Sequence, residues 1–173
     1  MKKCLIVVDY QNDFVTGALG NPDALKLERS IADKIRQYRD NGGAVIFTFD
    51  THSEGYMQTQ EGRNLPVPHC LQGTEGHMLF GAVNGLALES DLKFEKITFG
   101  SDLLYAHLRQ TPYESIELAG VVSNICVISN AVLAKTAQPE TPVLVDANCV
   151  ASNDARLNQA ALDVMASLQI KIV

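Results

Sequence analysis

The sequence predicts an α/β fold, a three-layer α/β/α sandwich around a mostly parallel sheet of roughly six strands. Three observations predict it. Runs such as Leu5-Ile-Val-Val8 are apolar at every position rather than at alternate ones, so both of their faces are buried. Amphipathic stretches alternate with these runs, and strand–helix alternation gives a parallel sheet covered by helices on each side. Asp9 and Asp50 close two of the runs, and a polar segment follows Val121, at the strand ends where such sheets carry their functional groups.

The elements follow in order. After the first strand, Pro22 and Asp23 open a helix with Leu27, Ile31 and Ile35 on one face, stopped by Asn41-Gly42-Gly43. Ala44 to Phe49 forms the second strand. Residues 51–92 are rich in Gly, Pro, Thr and Gln with little helical period, so they read as an irregular insertion that carries function. Phe94 to Ile97 is a short strand, and Ser101 caps a helix through about Leu108. Ile116 to Val121 is a strand, and Asn124 caps the helix that runs to Gln138. Val143 to Val145 is a strand ending in Asp146. Asn153 or Asp154 caps a last helix with Leu157, Ala161, Val164 and Leu168 on one face, and Ile170 to Val173 closes the sheet.

A chain of 173 residues, 46% hydrophobic and 20% charged, is the size of one domain, spanning 1–173, with a sizeable core. The net charge of −6 and the absence of a basic block exclude a nucleic-acid partner and disfavour polyanionic substrates. No run approaches the ~18 apolar residues of a membrane helix, and Cys4 to Val8 is too short for a signal-peptide core. A cytoplasmic protein with no membrane association is expected. Cys4, Cys70, Cys126 and Cys149 form no CxxC pair and read as free thiols.

Cys126 falls in the first turn of its helix, where free N–H groups and the helix dipole favour a thiolate and can hold an oxyanion. On the local sequence alone, a packing cysteine on an apolar helix is the favoured reading. Asp9 after the first strand and Lys96 after the third supply a proton acceptor and a cation to hold the thiolate. A second cluster is Asp50-Thr-His52, whose two side chains point the same way on extended backbone, with Glu61 and His69 in the insertion. Two imidazoles with one or two carboxylates suit Zn, with Mn or Fe as alternatives. Scattered loop polarity explains the same spacing.

Three segments carry a resemblance. Val7-Val-Asp9-Tyr-Gln-Asn-Asp13-Phe14, Phe94-Glu-Lys96-Ile-Thr-Phe-Gly-Ser and Gly120-Val-Val-Ser-Asn-Ile-Cys126-Val resemble, in order and spacing, the motifs of isochorismatase-like cysteine hydrolases. The resemblance implies a triad of Asp9, Lys96 and Cys126. It also implies a cis peptide between Val121 and Val122, with the N–H groups of Val122 and Cys126 facing the oxyanion. Lys93 is a rival for the lysine, but Lys96 fits the motif better. Ser123-Asn124 departs from the family's Thr followed by Asp or Glu, removing a negative charge near Cys126.

Asp50-Thr-His52 and Pro66-Val-Pro-His69 are similar to the metal segments of nicotinamidases. The similarity implies Asp50, His52 and His69 as ligands of a divalent metal, and Glu61 as a fourth, offset by one residue of spacing. Cys70 and His77 match no ligand position. Phe14 matches an aromatic that lines the nicotinamide pocket. The chain has no Trp, which nicotinamidases usually place just before the third metal histidine, so that wall is altered. The implied activity is hydrolysis of a small, nicotinamide-like amide through a cysteine thioester, with homo-oligomers common in the family. Two other readings remain open: a hydrolase of carbamoyl or ureido compounds, and a non-catalytic partner-binding module on the same fold.

Overall fold

A computed structural model describes residues 1–173. The strands are β1 (Lys3–Val8), β2 (Ala44–Asp50), β3 (Leu92–Lys96), β4 (Ser115–Val121), β5 (Val143–Ala151) and β6 (Lys171–Ile172). They form one sheet in the order β3-β2-β1-β4-β5-β6, and every pairing is parallel. The order reverses between β1 and β4, so a crevice opens beyond their carboxyl ends. Asp9 and the Val122–Cys126 segment leave the sheet there.

The helices are α1 (Asn12–Val15), α2 (Pro22–Leu25), α3 (Glu28–Asp40), α4 (Gln60–Asn64), α5 (Gly81–Leu86), α6 (Asp102–Gln110), α7 (Ile128–Ala137) and α8 (Ala155–Ser167). β1 divides its residues between two cores. Cys4, Ile6 and Val8 pack with Leu104, Leu108, Ala131, Ala134 and Ala161, under α6, α7 and α8. Leu5 and Val7 pack with Ile31, Ile35 and Phe47 on the α3 side. All five are fully buried, and each large aliphatic side chain so buried contributes about 1.5–3 kcal/mol. The continuous apolar run is thus two faces read alternately.

The structure differs from the sequence expectations in five places. The helix expected from Pro22 is two, α2 and α3, with a turn at Lys26–Leu27 that lets Ala24 and Leu27 both reach the core. The insertion at 51–92 is not irregular throughout. It holds α4, α5 and 3-10 turns at Tyr56–Gln58 and Glu75–His77, each too short for a hydrophobic period to show. β3 begins at Leu92 and is an edge strand in which only Lys96 is buried. β5 does not stop at Asp146. Its register shifts opposite Leu118–Gly120 and pairing resumes at Gly120↔Val150, a bulge that takes up the polar Asp146-Ala-Asn148. On α8 the buried side chains are Ala161, Leu162 and Met165, while Leu157, Val164 and Leu168 are exposed.

Candidate active site

Three buried side chains meet at the crevice. Asp9 stands just past β1 with φ +45°, a left-handed conformation that non-glycine residues hold mainly where surrounding structure enforces it. Its Oδ1 accepts the Thr48 hydroxyl at 2.7 Å, and its Oδ2 lies 2.6 Å from Lys96 Nζ. Lys96, the last residue of β3, also reaches Asp50 Oδ1 at 3.2 Å and Cys126 Sγ at 3.6 Å. Lys93 is exposed on the same edge strand. Cys126 lies in a π-helical turn, Ser123–Val127, that leads into α7, and the Val121–Val122 peptide before it is cis. Asn124 does not cap this turn. Its Oδ1 instead accepts the Ser152 hydroxyl at 2.6 Å, tying the turn to the end of β5.

The electrostatics define the resting state. Burial raises the Asp9 pKa above the usual carboxylate value against the pull of Lys96. Burial works against the Lys96 charge, but Asp9, Cys126 and Asp50 outweigh it and hold the ammonium protonated. Burial, and then the Asp9 carboxylate, push the Cys126 thiol well above its ordinary value, with Lys96 opposing. Burial and the Asp9 charge thus favour the thiol of Cys126 over its thiolate. The thiolate expected from helix position alone loses to desolvation.

The second cluster also assembles. Donor atoms of Asp50, His52, Glu61 and His69 all lie within 4.8 Å of one another. Asp50 Oδ2 is 3.0 Å from His52 Nε2 and 3.2 Å from His69 Nε2, and Glu61 Oε1 is 3.7 and 3.8 Å from the same nitrogens. Ligands about 2.0–2.1 Å from a tetrahedral ion stand about 3.3 Å apart, so the spacing and the N/O donor set fit a divalent ion. His69 Nδ1 donates to the Val67 carbonyl at 2.8 Å, which leaves Nε2 as the lone-pair donor. Burial raises the Asp50 carboxyl, but the adjoining His52 and His69 rings and the Lys96 ammonium outweigh it and hold the pKa well below the usual range. Glu61 arrives on α4, whose first turn the Thr59 hydroxyl caps by accepting the Gly62 N–H. Asp50 borders both clusters.

Both open onto a cavity of about 250 Å³ whose lining includes Phe14, Asp50, Glu61, His69, Val122 and Cys126. Drug-sized ligands occupy about 300–1,000 Å³, so this space suits a small molecule. Phe14 packs edge-on against His69 at 5.5 Å. A larger cavity, about 660 Å³, lies at the other end of the sheet beside Lys34, Tyr38 and Glu117. These polar groups are already paired with one another, and no Cys, Ser or Thr lines the cavity.

Several positioning residues escaped the sequence reading. Gln11 is fully buried and brackets Asp50, donating to its carbonyl at 2.9 Å and accepting its N–H at 2.8 Å. Asp13 accepts the Cys70 N–H at 2.7 Å, joining the α1 segment to the loop that holds His69. Tyr56 packs against both imidazoles, with centroids at 4.7 and 5.0 Å. Asn130, wholly buried in α7, donates to the carbonyls of Cys126 and Phe99 and accepts the Ser101 N–H. A lone Asn in the apolar run Ile128-Ser-Asn-Ala-Val-Leu133 was the available signal. Cys70 and His77 stand apart from the donor cluster; Cys70 is buried, and His77 Nε2 bonds the Thr51 hydroxyl at 2.8 Å.

Comparison with known proteins identifies relatives over the whole chain. PncA of Bacillus subtilis (strain 168), an uncharacterized isochorismatase family protein, is 34% identical over 145 residues, covering 76% of this chain and 78% of the relative. The crystal structure of the nicotinamidase/pyrazinamidase PncA from Bacillus subtilis covers the whole of both chains at 31% identity and a TM-score of 0.87. The pyrazinamidase of Pyrococcus horikoshii, solved in complex with zinc, is 28% identical with a TM-score of 0.86, covering 100% of this chain and 99% of its own. The Isochorismatase domain family matches residues 3–173, and on that extent the chain belongs to the isochorismatase family.

Proposed function

We propose that the protein is an amide hydrolase of nicotinamide-like substrates that works through a cysteine thioester. The observation that carries this reading is the convergence of Asp9, Lys96 and Cys126 within 3.6 Å of Lys96 Nζ, beside a four-donor metal cluster and a small cavity. Similarity to enzymes named nicotinamidase and pyrazinamidase supports it.

In this mechanism Asp9, its basicity raised by burial, takes the Cys126 proton as sulfur attacks the amide carbon. Lys96 holds charge on both partners, and the N–H groups of Val122 and Cys126 receive the oxyanion. The C–N bond breaks as Asp9 passes its proton to the departing ammonia. Water then adds to the thioester with Asp9 as base, the C–S bond breaks, and the acid leaves with Cys126 again a thiol. Asp50, His52, Glu61 and His69 would hold the divalent ion, which we take to be zinc; when bound it supplies a Lewis-acid centre beside the substrate. Four unpaired thiols fit a reducing, cytoplasmic setting. No helix is long and apolar enough to cross a membrane. Assembly into homo-oligomers completes the reading, and light scattering after size exclusion tests it.

The decisive assay is ammonia release from nicotinamide by zinc-loaded protein. Cys126→Ala is expected to lower turnover by roughly 10³-fold or more, as loss of a nucleophile does. Full turnover by that variant would end the thioester account.

A further inference from the structure

The cavity walls bear on which amides enter. Away from the reacting atoms and the metal donors the lining is Asn153 and six apolar side chains: Phe14, Leu19, Leu65, Phe99, Val122 and Ile125. Four of the six are branched aliphatic. Phe14 is held edge-on to His69, whereas Phe99 is 46% exposed. Two fixed aromatic faces would reward a flat ring with stacking worth up to about tenfold in binding. Branched aliphatic walls offer a flat ring no such premium and can turn their rotamers around the thicker body of a saturated ring.

The walls also lack a free cation: no Lys or Arg lines the cavity. Lys96 lies behind it, 3% exposed and held by Asp9 at 2.6 Å and Asp50 at 3.2 Å. A divalent ion between Asp50 and Glu61 would leave no surplus positive charge. A substrate carboxylate would therefore be desolvated with no cation to pair it.

On the reading of the site as an amide hydrolase, we propose that it takes neutral carboxamides with saturated alicyclic or branched acyl groups alongside heteroaromatic ones, and excludes acyl groups that bear a carboxylate. Leu65 sets this breadth. Its hydrogen bonds here are made by backbone alone, its N–H on the Glu61 carbonyl at 2.7 Å and its carbonyl accepting the Tyr56 hydroxyl at 2.8 Å, so replacing the side chain removes neither.

The test is kcat/KM by ammonia release from nicotinamide, cyclohexanecarboxamide and succinamate with the zinc-loaded full chain and with Leu65→Trp. The expected result is cyclohexanecarboxamide within roughly tenfold of nicotinamide, succinamate lower by roughly 100-fold, and a roughly tenfold fall in the alicyclic-to-aromatic ratio in Leu65→Trp. Nicotinamide turnover with cyclohexanecarboxamide more than tenfold slower overturns the breadth while the hydrolase reading stands. Succinamate equal to nicotinamide overturns the charge exclusion. An unchanged ratio in a folded Leu65→Trp removes Leu65 from the role. No ammonia from any of the three overturns the hydrolase reading and this one with it.

Discussion

Gly120 has φ +117°, and a Cβ there would lie 2.0 Å from the Val8 carbonyl oxygen. The close approach of β4 to β1 at this point positions both Asp9 and the turn bearing Cys126. Gly120→Ala is expected to cost about 3 kcal/mol or more in a urea melt, because backbone and not a flexible side chain must give way. Asn130 acts one step further from the reacting sulfur. Asn130→Ala strands the buried carbonyl of Cys126 and leaves the Ser101 N–H without its acceptor, each at about 1–3 kcal/mol. If Asn130 positions the nucleophile, kcat and the rate of Cys126 alkylation by iodoacetamide both fall while KM stays near the parent value. A purely structural role lowers the melting temperature and leaves alkylation of the folded protein unchanged. At this scale the sequence pointed to Asp9, Lys96 and Cys126, and the structure brings the three side chains together. It was mute where one orients another, because Gln11 pairs with Asp50, 39 residues away, and Asn130 ties Cys126 to Phe99 and Ser101, which lie 31 and 29 residues from it.

Among the elements, the tie between α3 and the sheet carries its own pH dependence. Lys34 on α3 reaches Glu117 of β4 at 2.5 Å and Asp146 of β5 at 2.7 Å, and Tyr38 donates to Glu117. Burial alone would raise the Asp146 pKa. Hydrogen bonds from Lys34 and the Asn148 N–H outweigh it and hold the carboxyl below its usual value. A depressed folded pKa means the stabilisation is present above about pH 4, the ordinary Asp value, and is lost as pH falls through the folded pKa. Lys34→Met is expected to remove about 3 kcal/mol near neutral pH, since it leaves buried carboxylates unpaired. It should also flatten the acid limb of a melting-temperature profile between pH 3 and 5; an unchanged limb would mean the tie contributes nothing to acid stability. The same tie explains why β5 was misread. Asp146 and Asn148 signal a strand end locally, and only pairing with β4 beyond the bulge shows that the strand continues. On α8 the helical period was legible, but three exposed apolar residues fit one face as well as the buried set does, and the side facing β5 and β6 is a tertiary choice.

Over the whole molecule, the donor cluster joins the carboxyl end of β2 to the 51–92 insertion, so an ion there cross-links two parts of the chain. Zinc at about 100 times its dissociation constant adds roughly 2.7 kcal/mol, or about 5–10 °C for a chain of this size. A calorimetric scan before and after chelation should show that shift in the parent and none in His52→Ala/His69→Ala. An equal shift in the double variant would place the ion elsewhere. The sequence by itself determined the layered parallel fold, because strand burial is a local pattern of period and polarity, and it nominated the residues of both clusters through strand-end placement together with resemblance to a known family. Only the tertiary structure decided that Asp50 faces both clusters, that burial pushes the Cys126 thiol up, and that Leu65 and Phe99 reach the same small cavity. Those facts depend on desolvation and on distances between segments that lie far apart in the chain, which no local pattern encodes.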